Sequence, residues 1–358
     1  MNPIDPTSST QAPTRKISRA DFVGEAIDQL ITIEAKNPGL PHNALRPMYA
    51  AARALASDRP LSMVAAEQLR KALRPGDTVL MLSGAGYAPQ MPQGEDDGPP
   101  GVASLALALY RGLGAVPVYV SEACHAGPIV ASSHAAGLMI KEFRLASVNR
   151  LGAALAVAPT EQSEVAAWVT KIFSEMRPKA IISAERLGPA KNGYLHNLTA
   201  QPYGGPETTS EHDVVDISPL IDEAKRQGVL TVGIGDHGNE IGFGSIWDTV
   251  AEAMPLGDQL CTTSATDILL PVMISNWGCY GIEAALAFLL GQTNLVHSPA
   301  QEERIIRACQ AAGGIDAIFT STQFAVDGLD GETSMACVQF LGNIVRKALE
   351  VGDRGLAH

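Results

Sequence analysis

The hydrophobic positions of the first part of the chain recur with a helical period. Between residues 21 and 75, apolar side chains return at spacings near 3.6, which predicts amphipathic helices. Ser62 is the expected N-cap of a helix over Met63–Leu73. We therefore predict a helical N-terminal segment over residues 21–75 that packs on the rest of the protein, preceded by a disordered tail over residues 1–20.

From residue 76 onward the pattern changes, because short apolar runs alternate with longer helical stretches. The candidate strands are Thr78–Leu82, Val116–Val120, Ala153–Val157, Ala180–Ser183, Val229–Ile234, Ile268–Val272 and Ala317–Phe319. The helices expected between and after them are Gly101–Leu113, Glu164–Met176, Ile217–Gln227, Tyr280–Leu290, Gln301–Ala311 and Thr333–Leu349. This alternation is typical of βαβ units. It predicts an α/β domain over residues 76–352, with a mostly parallel, doubly wound sheet flanked by helices.

In sheets of this class, ligands bind outside the carboxyl ends of the strands. Three polar loops follow predicted strands, over residues 93–101, 183–189 and 233–244. The third loop contains five glycines, which allow the backbone to approach a small ligand closely. A dinucleotide is disfavoured here, because Asp236 and Glu240 would face its pyrophosphate without a compensating basic residue.

Oxygen-donating side chains in these loops predict a cation site. Asp236, Asn239 and Glu240 share the glycine loop, and Glu185 follows the preceding strand. Carboxylate and amide oxygens are suited to Mg²⁺, Mn²⁺ or Ca²⁺, so we expect one divalent cation there. The alternative is that these carboxylates cap neighbouring helices.

Further polar residues near the same strand ends are candidates for substrate contact or catalysis. Arg186 could bind a substrate carboxylate as a planar fork, or form an ordinary ion pair. Asp97 is either a general base or the cap of the helix that follows it. Asn276 offers both a donor and an acceptor to a ligand.

Composition and charge exclude several classes of partner. The 358 residues carry a formal net charge of −12, which argues against nucleic acid. No apolar run approaches the roughly 18 residues that a membrane span needs. Five cysteines without a CxxC pair indicate a reducing compartment, so we expect a cytoplasmic protein. The Ser-, Thr- and Arg-containing N-terminus leaves the mitochondrial matrix as a minor alternative, and a homo-oligomer is compatible with the sequence.

At these loops the chain resembles the D-glutamate cyclase family, in its C-terminal, cyclase-like domain. The likeness covers about residues 26–350. The motifs with the most specific likeness are Glu185-Arg186 with Gly193 and Asn197, Gly233-Ile234-Gly235-Asp236, Gly238-Asn239-Glu240-Ile241-Gly242 with Gly244, and Ser275-Asn276-Trp277-Gly278. Weaker likenesses are found at Asp28–Ile33, Tyr49–Arg53, Gly76–Leu80, Asp97-Gly98-Pro99 with Gly101, and Val326-Asp327-Gly328-Leu329.

The resemblance implies conversion of D-glutamate, a small amino-acid substrate, to 5-oxo-D-proline and water with a divalent cation. The substrate-binding residues expected from the matched motifs and their neighbours are Arg186, Asn197, Gly235 and Asn276. The α-amine must attack a γ-carboxylate that is a poor electrophile, so a cation, a base and an acid are all needed. We expect Asp97 to act as the base and His237 as a proton donor or shuttle.

Three departures from the family pattern border the expected site. His237 stands where a glycine is expected, Asp96 where a small hydroxyl residue is expected, and the segment between Asn197 and Ile217 is longer and richer in Pro and Gly. The alternative role of His237 is to reshape the pocket without taking part in proton transfer, and a related amino acid is then the alternative substrate. The alternative functions are a metal-dependent hydrolase or phosphatase, and a non-catalytic binder of a small anionic metabolite.

Overall fold

The structure, a computed structural model, describes residues 17–36, 43–203 and 214–350. Within these residues, helices and strands alternate along the chain. The α-helices are α1 (Arg19–Ile31), α2 (Leu45–Leu55), α3 (Leu61–Ala72), α4 (Pro99–Leu113), α5 (Ala126–Ala136), α6 (Phe143–Asn149), α7 (Val165–Met176), α8 (Pro219–Gln227), α9 (Trp247–Ala253), α10 (Gly257–Leu260), α11 (Ser275–Leu290), α12 (Pro299–Ala311) and α13 (Gly331–Glu350). The strands are β1 (Thr78–Leu82), β2 (Val116–Ser121), β3 (Ala154–Val157), β4 (Ala180–Ala184), β5 (Leu195–His196), β6 (Pro202–Tyr203), β7 (Leu230–Gly235), β8 (Ile268–Pro271), β9 (Ala325–Val326) and β10 (Leu329–Asp330).

Six of these strands form one sheet in the order β3-β2-β1-β4-β7-β8, and every neighbouring pair is parallel. Leu80 of β1 is in register with Val118 of β2 on one side and with Ile181 of β4 on the other. From β1 the chain adds β2 and β3 on one side of the sheet, and from β4 it adds β7 and β8 on the other side. A sheet with this order has its crevice where the direction reverses, at the carboxyl ends of β1 and β4.

Helices cover both faces of the sheet. Side chains of β1 alternate between the faces, so that Val79 and Met81 join one core cluster and Leu80 and Leu82 join another. The first cluster is shared with α4 and α11, whereas the second is shared with α7 and α8. The predicted α/β class with a parallel, doubly wound sheet is confirmed.

The N-terminal helices pack on the first of these faces and on the edge of the sheet. α1 and α3 contact α11, and α2 and α3 contact β8. A Cβ added at Gly281 of α11 would lie 2.6 Å from Cδ1 of Ile31, so the glycine permits close packing of α1 on α11. The end of α1 is thereby held close to the sheet.

The start of α3 differs from the prediction. The helix begins at Leu61 and not at Met63, so Ser62 lies inside its first turn. The carboxylate of Asp28 accepts hydrogen bonds from the backbone N–H groups of Leu61 at 2.5 Å and Ser62 at 3.2 Å. A carboxylate from another helix therefore provides the cap, and sequence spacing gives no signal of that arrangement.

The predicted strand Ala317–Phe319 is wrong, because residues 317–320 form turns. The carboxylate of Asp316 accepts hydrogen bonds from the backbone N–H groups of Ile318 at 2.9 Å and Phe319 at 2.7 Å. This local bonding of an aspartate to the backbone that follows it favours a turn over an extended strand.

The ends of the predicted segments are only partly described. α1 begins at Arg19, inside the predicted disordered tail, whereas residues 1–16 lie outside the described residues. Residues 204–213 of the long segment before α8, and residues 351–352 of the predicted domain, also lie outside them. Among the helices that are described, none combines the length and apolar character needed to cross a bilayer.

Candidate active site

An acidic cavity lies at the carboxyl ends of β1, β4 and β7. Its volume is about 190 Å³. The carboxylate side chains that line it are Glu95, Asp97, Glu185, Asp236 and Asp327. Tyr87 and Tyr203 also line it, with ring centroids 4.9 Å apart. The cavity therefore occupies the crevice that the strand order predicts for a ligand.

Asp236 follows β7 directly and has a cationic partner for each of its carboxylate oxygens. Its Oδ1 lies 2.7 Å from Nδ1 of His237, and its Oδ2 is paired with Nζ of Lys36. Burial favours the neutral acid, but the charges of His237 and Lys36 outweigh it and lower the pKa of Asp236. Burial likewise opposes protonation of His237, and the Asp236 carboxylate outweighs it, which raises the pKa of His237.

Glu240 organises the glycine loop from within. Its carboxylate accepts hydrogen bonds from the backbone N–H groups of Asp236 at 3.1 Å, His237 at 3.0 Å and Gly238 at 2.7 Å. Burial and the neighbouring Asp236 carboxylate raise the pKa of Glu240 to about 7. Glu240 is fully buried and holds the loop backbone, so its predicted contact with a cation would compete with three N–H donors.

Gly235 lies beneath this loop. A Cβ at this position would come within 2.7 Å of Cε2 of Phe243 and 2.8 Å of Cβ of Glu240. The glycine therefore allows the loop to close over the end of β7. Gly235 is not one of the residues that line the cavity, although it was predicted to contact substrate.

Asp97 lies at the N-terminus of α11 as well as in the cavity wall. Its Oδ1 accepts hydrogen bonds from the N–H groups of Asn276 at 2.8 Å and Gly98 at 2.9 Å, and its Oδ2 from that of Ser275 at 2.8 Å. The capping alternative is thus realised on α11 instead of on α4, the helix that follows Asp97 in sequence. Burial and the Asp236 carboxylate raise the pKa of Asp97.

Asn276 fixes the loop that carries Asp97. Its Oδ1 accepts hydrogen bonds from the N–H groups of Gly98 at 2.9 Å and Gly101 at 2.7 Å, and its Nδ2 donates to the carbonyl oxygen of Asp96 at 3.1 Å. The side chain is buried and is not part of the cavity lining. Its observed partners are therefore backbone groups of the loop, and the structure does not bring its side chain to the cavity.

Glu185 and Arg186 lie on opposite sides of the end of β4. Glu185 lines the cavity, with its Oε2 accepting a hydrogen bond from Oγ of Ser275 at 2.6 Å. Its φ of 48° is uncommon for a residue with a side chain, and such strain is frequent at functional sites. Burial, then Asp236, raises the pKa of Glu185 well above its usual range.

Arg186 points away from the cavity into the protein. Its guanidinium bonds both carboxylate oxygens of Glu122 and donates to the carbonyl oxygens of Gly84 at 3.0 Å and Val215 at 2.6 Å. The side chain is completely buried. The structure therefore does not bring Arg186, a predicted ligand of a substrate carboxylate, to the cavity.

Two asparagines of the predicted set line the cavity. Oδ1 of Asn197 accepts hydrogen bonds from the N–H groups of Thr199 and Gln201, both at 3.0 Å, so this side chain stabilises its own turn. Nδ2 of Asn239 donates to the carbonyl oxygen of His196 at 2.8 Å, which fixes the direction of the amide. Both residues are placed where a bound molecule could contact them.

Asp327 lines the cavity and belongs to a segment that resembles the family, but it is not among the predicted site residues. It lies in the two-residue turn between β9 and β10, with φ of 52° at Asp327 and 81° at Gly328. Positive φ at both positions is the feature of the Asp-Gly hairpin turn. That dipeptide between two short apolar runs was a readable hairpin signal, but it did not indicate which strand ends the hairpin would face.

Two groups of side chains have the geometry to hold a cation. The atoms of Asp97, Asp236 and Asp327 lie within 4.8 Å of one another, as do those of Asp236, His237 and Glu240. Ligand oxygens on opposite sides of one Mg²⁺ or Ca²⁺ ion lie about 4–5 Å apart, so both groups fit. The first consists of carboxylates alone, and an ammonium already lies against it, so it suits a hard cation better.

The two groups therefore include only some of the four residues that were predicted as cation ligands. Asp236 belongs to both groups and Glu240 to the second, whereas Glu185 and Asn239 line the same cavity outside either group. Asp97 and Asp327 take the remaining positions of the first group.

Comparisons with known proteins found a matching family model and a similar human protein. The family model described as D-glutamate cyclase-like, C-terminal, matches residues 27–342, which include every element of the cavity. The human protein named D-glutamate cyclase, mitochondrial, is 30% identical over 110 residues, which is 30% of this chain. That segment is 17% of the length of the human protein.

Proposed function

The chain belongs to the D-glutamate cyclase-like family, and from this premise we propose that it is a lyase that converts D-glutamate, or a closely related amino acid, to 5-oxo-D-proline and water. The observation that carries the proposal is the group of three buried carboxylates, Asp97, Asp236 and Asp327, beside a small cavity at the crevice of the sheet. A metabolite of amino-acid size suits a cavity of about 190 Å³, which is smaller than the sites that take larger ligands.

We assign these three carboxylates as the residues that would hold Mn²⁺ or Mg²⁺, with Ca²⁺ as an alternative. A divalent cation neutralises and polarises a carboxylate, which makes it a better electrophile. Asp97 suits a ligand role better than the predicted base role, because three backbone N–H groups hold its carboxylate in a fixed position beside Asp236 and Asp327.

The proton transfers of this reaction need a carboxylate that can accept and return a proton. The nitrogen loses two protons as the ammonium becomes a lactam N–H, and the departing oxygen gains two as it becomes water. We assign this exchange to Glu185, which lines the cavity and whose raised pKa suits a group that alternates between acid and base. The hydrogen bond from Ser275 orients its carboxyl group.

His237 has a positioning role in this proposal. Its ring holds Oδ1 of Asp236 at 2.7 Å, which turns Oδ2 toward the other carboxylates. Partners of a ligand carboxylate commonly tune metal affinity and geometry in this way. The glycine that the family pattern leads one to expect at this position would leave Oδ1 without this partner.

The cavity also favours the folded conformer that cyclisation requires. Besides the carboxylates, the cavity lining includes the apolar or aromatic side chains of Tyr87, Tyr203, Met91 and Ile318. A small cavity of this kind restricts an extended amino acid, and orientation of a substrate can supply up to about 7–11 kcal/mol in ideal intramolecular reactions.

Product analysis with D-glutamate tests the proposal. Purified protein is incubated with Mn²⁺ or Mg²⁺ and D-glutamate, and chiral chromatography resolves 5-oxo-D-proline from its enantiomer. L-glutamate, lactams and phosphate esters are assayed in parallel, with Asp236→Asn as the matched control. Formation of 5-oxo-D-proline by the wild type alone supports the proposal, whereas hydrolysis of a phosphate ester or lactam without cyclisation contradicts it. Binding without turnover of any compound would instead identify a binding protein.

A further inference from the structure

An ammonium group from the N-terminal segment lies inside the acidic site. Lys36 follows α1 after a short connection, and its Nζ is paired with Oδ2 of Asp236 and Oδ2 of Asp327. The lysine side chain is only 6% exposed. An ammonium is strongly hydrated, so its burial here requires the two carboxylates as compensation.

The charge of the cavity wall explains why this ammonium is held there. Five carboxylates line the cavity, and among its described lining residues there is no Lys or Arg. Like charges at this separation repel strongly when they are buried. Lys36 contacts Asp236 and Asp327, two of the three carboxylates of the group that fits a cation. Its ammonium therefore offsets the repulsion between these two carboxylates.

A divalent cation and the Lys36 ammonium would compete for the same side chains. Asp236 has His237 on Oδ1 and Lys36 on Oδ2, so a cation bound to either oxygen would lie close to a positively charged group and be repelled by it. Asp327 is also held by Lys36 through Oδ2. Of the two partners of Asp236, Lys36 has the longer and more flexible side chain, on a four-carbon stem. Lys36 is therefore the partner that a cation displaces more easily.

We propose that Lys36 is a built-in occupant of the cation position, which holds Asp236 and Asp327 together while the site is empty and is displaced when a divalent cation binds. The inference rests on the proposed cation site, but not on the reaction proposed for it. Its consequence is that Lys36 sets the threshold concentration of cation at which the site fills.

The expected size of the effect follows from competition. If a site is available for only a fraction of the time, its apparent dissociation constant is the intrinsic value divided by that fraction. An ammonium that occupies the site about nine-tenths of the time would therefore weaken cation binding about 10-fold. Removal of the ammonium should therefore strengthen cation binding by the same factor.

Calorimetric titration of chelator-treated full chain with Mn²⁺ tests this inference. The variants are Lys36→Met and Lys36→Gln, and the matched control is Lys71→Met, which removes the same charge from an exposed position on α3. We expect both Lys36 variants to bind Mn²⁺ at least about 10-fold more tightly than the wild type. Lys71→Met should bind as the wild type does. In thermal unfolding, Mn²⁺ should raise the melting temperature of Lys36→Met more than that of the wild type.

The outcomes separate the inference from the proposed reaction. Equal or weaker Mn²⁺ binding in the Lys36 variants would overturn the inference, as would failure of both to fold even with Mn²⁺ present. Absence of Mn²⁺ binding by all four proteins would also overturn it, although cyclisation of D-glutamate without added metal would then still uphold the reaction. Tighter binding in a protein that leaves D-glutamate unchanged would support the inference and contradict the reaction.

Discussion

The guanidinium of Arg186 bonds both carboxylate oxygens of Glu122, with Nη1 lying 2.5 Å from Oε2. The pair is buried beside the end of β4, and Glu122 also accepts a hydrogen bond from the N–H of Val215 at 3.1 Å. Burial favours the neutral acid, but Arg186 outweighs it and lowers the pKa of Glu122. The residue next to the cavity carboxylate Glu185 therefore serves the interior of the protein.

Removal of one member of this pair should destabilise the fold. We expect Arg186→Met to lower the free energy of unfolding by about 3–5 kcal/mol, because it leaves a buried carboxylate without its counter-ion. Denaturant unfolding measures this, and Arg226→Met, at an exposed position of α8, is the control. The double variant Glu122→Gln/Arg186→Met should recover part of the loss. A stable Arg186→Met protein with a raised KM alone would restore the substrate-binding role that the sequence predicted.

The sheet could be predicted from sequence because its signal is local. The strands β1, β2, β4 and β7 are predominantly apolar, and each is buried on both faces, so the pattern and the burial agree. The predicted strand at 317–319 failed for a reason that is also local. Asp316 offers the backbone an alternative set of hydrogen bonds, and three apolar residues are too short a run to outweigh them.

The sequence predicts only those site residues that lie together in one loop. The glycine loop placed Asp236 at the carboxyl end of a strand, and the structure has it there. Lys36 and Asp327 reach Asp236 from positions far away in the sequence, and no spacing rule connects them. The same holds for Asp97, whose cap on α11 joins residues 178 positions apart. Such contacts depend on how helices pack on the sheet.

A substitution at Asp327 tests the cation group that the structure assembles. We expect Asp327→Asn to weaken Mn²⁺ binding by at least about 10-fold, since it removes one of three anionic ligands. The turn itself should survive, because Asn-Gly suits the positive φ values found at this hairpin. Asp330→Asn, an exposed change in the same hairpin, is the matched control. Calorimetry that finds equal affinity in Asp327→Asn and Asp330→Asn would exclude Asp327 as a ligand.

Glu185 should carry the acidic limb of the pH–rate profile. It must be ionised to accept a proton from the ammonium, and its pKa is raised, so activity is expected to fall as the pH falls through that raised value. We expect Glu185→Gln to lower kcat by about 10²–10⁴-fold and to remove this limb, with Mn²⁺ affinity changed less than in Asp327→Asn. Steady-state kinetics from pH 5 to 9 measures both effects.

The control for this prediction is Glu252→Gln, on an exposed position of α9. It should retain wild-type kinetics and the full pH profile. Persistence of the acidic limb in Glu185→Gln would assign the proton transfer to another carboxylate of the cavity, with Glu95 as the next candidate because it also lines the cavity and burial also raises its pKa.

Substitutions of His237 distinguish a positioning role of this residue from a role in proton transfer. Nδ1 of its ring lies 2.7 Å from Oδ1 of Asp236 and its side chain is 12% exposed, so His237→Gly removes the charged partner of Oδ1 and enlarges the cavity. We expect a loss of about 10–100-fold in Mn²⁺ affinity, with kcat at saturating Mn²⁺ little changed, because partners of ligand carboxylates act chiefly through the metal. His237→Asn, which keeps a side chain able to donate to Asp236, should lose less affinity.

A fall of about 10²–10⁴-fold in kcat at saturating Mn²⁺ would instead assign acid–base catalysis to the imidazole. Unchanged affinity and unchanged kinetics in both variants would contradict either role, and would leave the contact with Asp236 without functional effect.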